Sequence, residues 1–198
     1  VHNEAKKYSN EGRKLVLVGH RGHQEVKGTM GQSDMFLVDD REPFQVPDWD
    51  SKTPISVITQ ATLSVEDTER SINNIEREFS DVVVRNDLCY ATTNRQMAVK
   101  KICDHVELFL VIGSKNSSNC NRLREVASSN GVQAYLINSV QELDLTWLED
   151  VENVGITSGA STPDSLVEDI IKLLDPSEVI KMGGDEENIT FKLPSEVL

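Results

Sequence analysis

Apolar residues fall in short continuous runs that alternate with stretches of helical period. LVLVG (Leu15 to Gly19), MFLVD (Met35 to Asp39), ISVIT (Ile55 to Thr59), VELFLVI (Val106 to Ile112), QAYLI (Gln133 to Ile137) and NVGIT (Asn153 to Thr157) read as buried strands. Between them lie helical segments with recognisable ends. VHNEAKKYSNEG closes on Gly12, and a short helix follows the glycine-rich GHRGHQEVKGTMGQ. Ser64 caps SVEDTERSINNIEREF, with Asp67 at the third helical position and a buried stripe of Val65, Ile72, Ile75 and Phe79. Thr93 and Gln96 form a capping box for a helix from Asn94 to Cys103. Further helices are predicted from Asn119 to Gly131, near Thr146 to Val151, and after Thr162 as N-cap with Pro163 at the first helical position.

Strands alternating with helices at this spacing predict an α/β fold: two similar modules with small, parallel-rich sheets flanked by helices. The first module is placed at 1–80 and the second at 81–174, opening with the VVV that follows Asp81. A tail with one short strand is placed at 175–198, and Asp40 to Pro54, with its three prolines, is irregular surface. The chain starts at Val1 inside a polar helical pattern with no cap signal before it, which reads as a fragment cut within a helix.

In parallel modules, ligands sit beyond the carboxyl ends of the strands. Four loops share that edge here: GHRGHQE, TQATLS, GSKNSSN and SGASTPD, with Cys89 in a fifth loop on the same side. GSKNSSN (Gly113 to Asn119) joins a strand to a helix start and carries Ser117, Ser118 and Asn119, a geometry suited to an anion.

Composition narrows the partners. A net charge of −13 argues against nucleic acid and against an anionic membrane surface. No apolar stretch has the length to span a bilayer. Three irregularly spaced cysteines fit a reducing compartment better than a disulfide scaffold.

Taken singly, each candidate has an ordinary explanation. His20 and His23 are a weak zinc pair, a structural pair, or a pair of which one member binds an anion. Glu25 suits the solvated first turn of a helix, Ser161 a capping loop, and Cys89 a small buried side chain. As a set, two serine-rich loops at helix starts plus an imidazole suit a diphosphate better than one carboxylate, with Lys115 the one nearby cation. Glu25 beside such a site is a candidate proton carrier.

GHRGHQEVKGTMGQ, TQATLSVEDT, CYATTNRQ, GSKNSSNCNRL and SGASTPD, in this order and spacing, closely resemble the 4-hydroxy-3-methylbut-2-enyl diphosphate reductase (IspH or LytB) family, from Val1 to near Leu193. The resemblance implies an oxidoreductase of the non-mevalonate route to isoprenoids, built from three α/β modules around a [4Fe-4S] cluster held by three cysteines. Its reaction removes an allylic hydroxyl reductively, giving isopentenyl and dimethylallyl diphosphate. By motif, Cys89 matches one cluster ligand, while Cys103 and Cys120 match none. His23, Ser117, Ser118, Asn119 and Ser161 match the diphosphate pocket, Glu25 the proton-delivering acid, and Thr92 a position near cluster and substrate. The resemblance further implies a ferredoxin or flavodoxin-type electron donor, and a cytoplasmic location in a bacterium or a plastid in a eukaryote.

Two departures stand out. Ala61 occupies a position where the family often has Thr, so either Thr59 or Thr62 is expected to take over that hydroxyl's role or proton delivery is expected to be weaker. The other two cluster cysteines are expected in an N-terminal module that this sequence does not include, so the chain alone is expected to be inactive. The alternative from another class is a non-catalytic phosphate- or sugar-phosphate-binding protein. A third reading is a fragment that folds and binds nothing.

Overall fold

Seven parallel-paired strands carry the fold in the computed structural model, which describes residues 1–182. The strand expected in the tail, within 186–198, lies outside the described residues. The first sheet contains β1 (Lys14–Val18), β2 (Met35–Val38), β3 (Ile55–Thr59) and β4 (Val82–Arg85), in the order β2-β1-β3-β4. The second contains β5 (Leu108–Ile112), β6 (Gln133–Ile137) and β7 (Val154–Ser158), in the order β6-β5-β7. All five residues of β3 and of β5 are buried, as expected for interior strands of parallel sheets.

Register brings the strand ends level. Val18 pairs with Val38 on one side and Thr59 on the other, so the loops after β1 and β3 emerge together. Ile112 likewise pairs with Ile137 and Ser158, so GSKNSSN leaves the second sheet beside SGAST. The β4 strand corrects the expected boundary at 80/81. Its residues Val82 to Arg85 pair with Ile55 to Ile58, and Val82 and Val84 pack on the first core. The free edge of β3 needed a partner, and the strand next in sequence supplied it, so the first sheet ends after Arg85.

The helices are α1 (His2–Asn10), α2 (Gln24–Met30), α3 (Val65–Glu78), α4 (Tyr90–Cys103), α5 (Ser118–Ser129) and α6 (Asp164–Leu174). In α3 the Ser64 cap accepts from the Asp67 N–H, and Ile72, Ile75 and Phe79 are buried, with Thr68 and Ser71 on the same stripe while Val65 is half-buried. Two other starts differ from expectation. The α4 helix begins at Tyr90, four residues before Asn94, with Cys89 as its N-cap and Thr93 already inside. The Thr93 hydroxyl donates to the Cys89 carbonyl, and the Gln96 side chain is drawn across to the loop after β3, so neither serves a capping box. The α6 helix has Pro163 as N-cap, because the Thr162 hydroxyl donates instead to the Ile112 carbonyl. The acidic segment near Thr146 is a 3-10 turn, Leu145–Leu148, preceded by another at Val140–Glu142.

Each sheet buries apolar side chains on both faces, giving four clusters of buried hydrophobic residues, two per sheet. None of these clusters draws buried residues from both sheets. Burying one Val, Leu or Ile is worth about 1.5–3 kcal/mol, so each lobe has its own source of stability. Between the lobes the connections described below are polar.

Candidate functional site

The short turn after β1 sets His23 as the N-cap of α2. Its Nδ1 accepts the Glu25 N–H at 3.3 Å, which leaves the proton of a neutral ring on Nε2. Nε2 lies 2.6 Å from Ser118 Oγ, the first residue of α5 in the other lobe, and so donates to it. Two of the predicted diphosphate residues, far apart in sequence, therefore meet directly across the lobe boundary.

Glu25, in the first turn of α2, reaches the loop after β3, where its Oε1 accepts the Ala61 N–H at 2.8 Å. The Ala61 carbonyl in turn accepts the Cys89 N–H at 2.9 Å, and the Cys89 carbonyl accepts the Thr92 N–H at 2.8 Å. Glu25, Ala61, Cys89 and Thr92 are thus linked in series by main-chain groups. This bears on the missing hydroxyl at position 61. The Thr59 hydroxyl is occupied by the Asp87 N–H and by Asn86, and the Thr62 hydroxyl accepts from Gln60. Neither contacts Glu25 by hydrogen bond; a backbone N–H holds the acid, and that donor does not depend on the side chain at 61.

In the second lobe, Ser117 caps α5 by accepting the Cys120 N–H, which leaves its own O–H free to donate. Asn119 is buried, 8% exposed, and neither atom of its side-chain amide has a partner. Two orphaned polar atoms cost about 1–3 kcal/mol each and, in an anion loop at a helix start, they point to a polar ligand. Ser161 is exposed in the neighbouring loop. That loop is fixed to the end of β5 by the Gly159 N–H and the Thr162 hydroxyl, both donating to the Ile112 carbonyl at 3.1 Å. Cys120 lies beneath both loops. A Cβ at Gly113 or Gly159 would come within 2.5 or 2.4 Å of its Sγ, and Gly113 has φ +151°, so both positions require glycine. Lys115 is turned away and pairs with Glu142 at 3.1 Å. The donors gathered here are hydroxyls, an imidazole, an amide and main-chain N–H groups.

The three cysteines differ sharply. Cys103 and Cys120 are buried among apolar side chains, and burial, with Asp104 nearby, pushes the Cys103 thiol up. Cys89 is exposed at the N-terminus of α4, next to the Glu25 and Ala61 loop, the placement expected of a thiolate ligand. The donor set therefore fits one corner of a cluster. This chain offers no second accessible thiol.

Beside His23 and Ser118 lies a polar cleft of about 440 Å³. Of the eight predicted residues only these two line it. Its other walls include Asp40, Asp67 and Glu125, which repel an anion, and Arg122, which these acids already occupy. The serine and histidine edge therefore suits an anion better than the acid-lined body of the cleft does. His20, Asp39 and Asp40 bring ligand atoms within 4.8 Å of one another. The Asp39 oxygens, however, accept from the Arg41 guanidinium and from the Arg21 and Arg41 N–H groups. Burial raises the Asp39 carboxyl, yet those donors outweigh it and hold it well below the usual carboxylate range. Asp40 is likewise raised by burial and lowered further by His20 and Arg122. These acids are committed to cations of the protein itself.

A family model described as LytB protein matches residues 1–175. The chain belongs to the LytB family. Among its relatives are the 4-hydroxy-3-methylbut-2-enyl diphosphate reductase of Saccharophagus degradans, 45% identical over all of this chain and 67% of that protein, and the one named reductase 2 of Bradyrhizobium diazoefficiens, 45% identical and covered to 66%. The chain thus spans about two thirds of the length of these LytB proteins. A solved structure of the E-1-hydroxy-2-methyl-but-2-enyl-4-diphosphate reductase from Plasmodium falciparum matches with a TM-score of 0.87 and 29% identity, over 98% of this chain and 64% of that one. Another, of (E)-4-hydroxy-3-methyl-but-2-enyl diphosphate reductase, described as the terminal enzyme of the non-mevalonate pathway, matches with a TM-score of 0.53 and 30% identity, over 88% and 63%.

Sequence reasoning marked Ala61 for the hydroxyl it lacks but missed its main-chain N–H, which gives no side-chain signal. It read Gln96 as half of a capping box, and it missed Arg122, which looks like an ordinary polar position on a helix surface until the other lobe is in place.

Proposed function

We propose that this chain forms the diphosphate-binding and proton-delivering part of a 4-hydroxy-3-methylbut-2-enyl diphosphate reductase, with Cys89 contributing one thiolate to a [4Fe-4S] cluster. The observation that carries the reading is the His23 to Ser118 contact across the lobes, beside the buried, unpartnered Asn119. The diphosphate takes donors from Ser117, Ser118, Asn119, Ser161 and His23 and from the first N–H groups of α5. Because those contacts are remote from the reacting carbon, they supply orientation as well as affinity.

The reaction breaks the allylic C–O bond. Two electrons and two protons enter, one proton leaving with the hydroxyl as water and the other joining the allylic carbon framework to give isopentenyl or dimethylallyl diphosphate. A bound cluster supplies the electrons singly and a Lewis-acidic iron for the hydroxyl oxygen. Glu25, held by the Ala61 N–H next to the Cys89 loop, carries the protons. Thr92, buried in the first turn of α4 behind Cys89, positions substrate near that thiolate. The two further thiolates come from an N-terminal module of the parent enzyme, and a small ferredoxin or flavodoxin-type protein delivers the electrons. A purely phosphate-binding role leaves the series from Glu25 through Ala61 to an exposed Cys89 without a purpose.

Calorimetric titration of the 198-residue chain with the substrate diphosphate tests the reading. Saturable binding is expected, weakened at least 10-fold by Asn119→Ala, since a hydrogen bond to a charged group is worth about 1.5–3 kcal/mol. Absence of binding by the unaltered chain, or unchanged affinity in Asn119→Ala, would refute it.

A further inference from the structure

Ser118 and Arg122 lie four residues apart on α5 and therefore share one face of that helix. Ser118 meets His23 of the first lobe. One turn further on, the Arg122 side chain, only 11% exposed, also enters the first lobe. Its Nη1 lies 3.3 Å from Asp67 Oδ2 in the first turn of α3, and its Nη2 lies 4.0 Å from Asp40 Oδ2 just after β2. His20, in the same turn as His23, completes the socket: its Nε2 is 3.4 Å from Arg122 Nη2 and 2.8 Å from Asp40 Oδ1. The Asp40 side chain is itself 4% exposed, so without Arg122 it loses the guanidinium that faces it from the other lobe and is left with His20 and, from its own loop, Arg41.

We propose that Arg122 is a positioning residue that sets the angle between the lobes, pinning α5 on the Asp40 and Asp67 socket so that Ser118 stands opposite His23 and both grip one diphosphate. The inference rests on the diphosphate reading for its ligand, but its geometric part stands without one. Neither buried apolar cluster of one lobe extends into the other, and polar inter-lobe contacts permit relative motion by default. Polar contacts at two places oppose that motion: near the covalent connection, where Lys100 of α4 also pairs with Glu66 of α3 and the Cys89 N–H reaches the Ala61 carbonyl, and on α5, where Ser118 meets His23. Gln96 of α4, buried, donates to the Leu63 carbonyl at 2.8 Å and accepts the Val65 N–H at 3.3 Å, close to the covalent connection. Arg122 ties a different helix, α5, to the first lobe. With the α4 contacts and the Ser118 to His23 hydrogen bond alone the lobes pivot; with Arg122 seated as well they are fixed.

Residual dipolar couplings of the ligand-free 198-residue chain read this directly. One alignment tensor is expected to fit both lobes of the unaltered protein, and two distinct tensors in Arg122→Ala. Asp67→Asn, which leaves the socket polar and the helix start capped, gives a smaller separation in the same direction and serves if Arg122→Ala does not fold. In calorimetry with inorganic diphosphate, Arg122→Ala binds about 10-fold more weakly, Arg122→Lys recovers part of that loss, and adding Ser118→Ala to Arg122→Ala weakens binding by less than the sum of the two single effects. A single shared tensor in both Arg122→Ala and Asp67→Asn would overturn the proposal, as would two tensors in the unaltered chain. If the couplings behave as stated but no variant binds diphosphate, the latch stands and the ligand assignment fails.

Discussion

Cys120 shows how much a single buried atom can govern. Its Sγ fills the space between the loops carrying Ser117 to Asn119 and Ser161, and no side chain fits at Gly113 or Gly159 while it is there. Gly159→Ala is expected to cost about 1–3 kcal/mol by overpacking, measured by urea denaturation, and to weaken diphosphate binding as the Ser161 loop shifts. Adding Cys120→Ala removes the clashing sulfur and restores most of both losses. If Cys120→Ala deepens the loss instead, the spacing of the loops is set elsewhere. Of the predicted residues, His23 and Ser118 were legible because glycine-flanked and serine-rich turns at helix starts announce anion chemistry. Ala61 was legible only as a missing hydroxyl, since what it contributes to Glu25 is a main-chain N–H.

Among the elements, the interior strands could be read from sequence because a strand buried on both faces is a continuous apolar run, as in β3 and β5. The membership of β4 could not, because the identity of its partner is decided by an open sheet edge far from VVV in sequence. The start of α4 was misread for a different reason. Thr93 and Gln96 have capping-box spacing, but their side chains find better partners in Cys89 and in the Leu63 to Val65 segment. The turn after β2 makes a prediction about acid stability. Asp39 is buried, and Arg41 with two N–H groups depresses its folded value despite that burial. A depressed carboxyl stabilises the fold fully above the unfolded value of roughly 3.9, and that stability is lost as pH falls below it toward the folded value. The urea midpoint should therefore be nearly flat in this contribution from pH 7 to 5 and drop below pH 4. In Asp39→Asn the midpoint is lower at pH 7 and its acid limb shallower; an acid limb as steep as that of the unaltered chain would contradict the assignment.

At the scale of the whole molecule, two lobes with separate cores are joined by polar contacts, and the candidate chemistry lies along their common edge. One series of contacts runs from His23 to Ser118, and another from Glu25 through Ala61 to Cys89. We propose that this edge is the substrate-facing part of the reductase and that Cys89 is a cluster ligand. The most direct measurement joins the amino-terminal third of the Saccharophagus degradans relative to this chain and reconstitutes the chimera anaerobically with iron and sulfide. Reductive turnover of 4-hydroxy-3-methylbut-2-enyl diphosphate with a chemical electron donor is then followed beside the visible and EPR spectra. A brown protein that releases both five-carbon diphosphates is expected. Cys89→Ser is expected to abolish turnover and to alter or remove the cluster signal, and Glu25→Gln to keep the cluster and substrate binding but to lower turnover at least 100-fold. A chimera with a full cluster signal in Cys89→Ser, or with undiminished turnover in Glu25→Gln, would contradict the proposal.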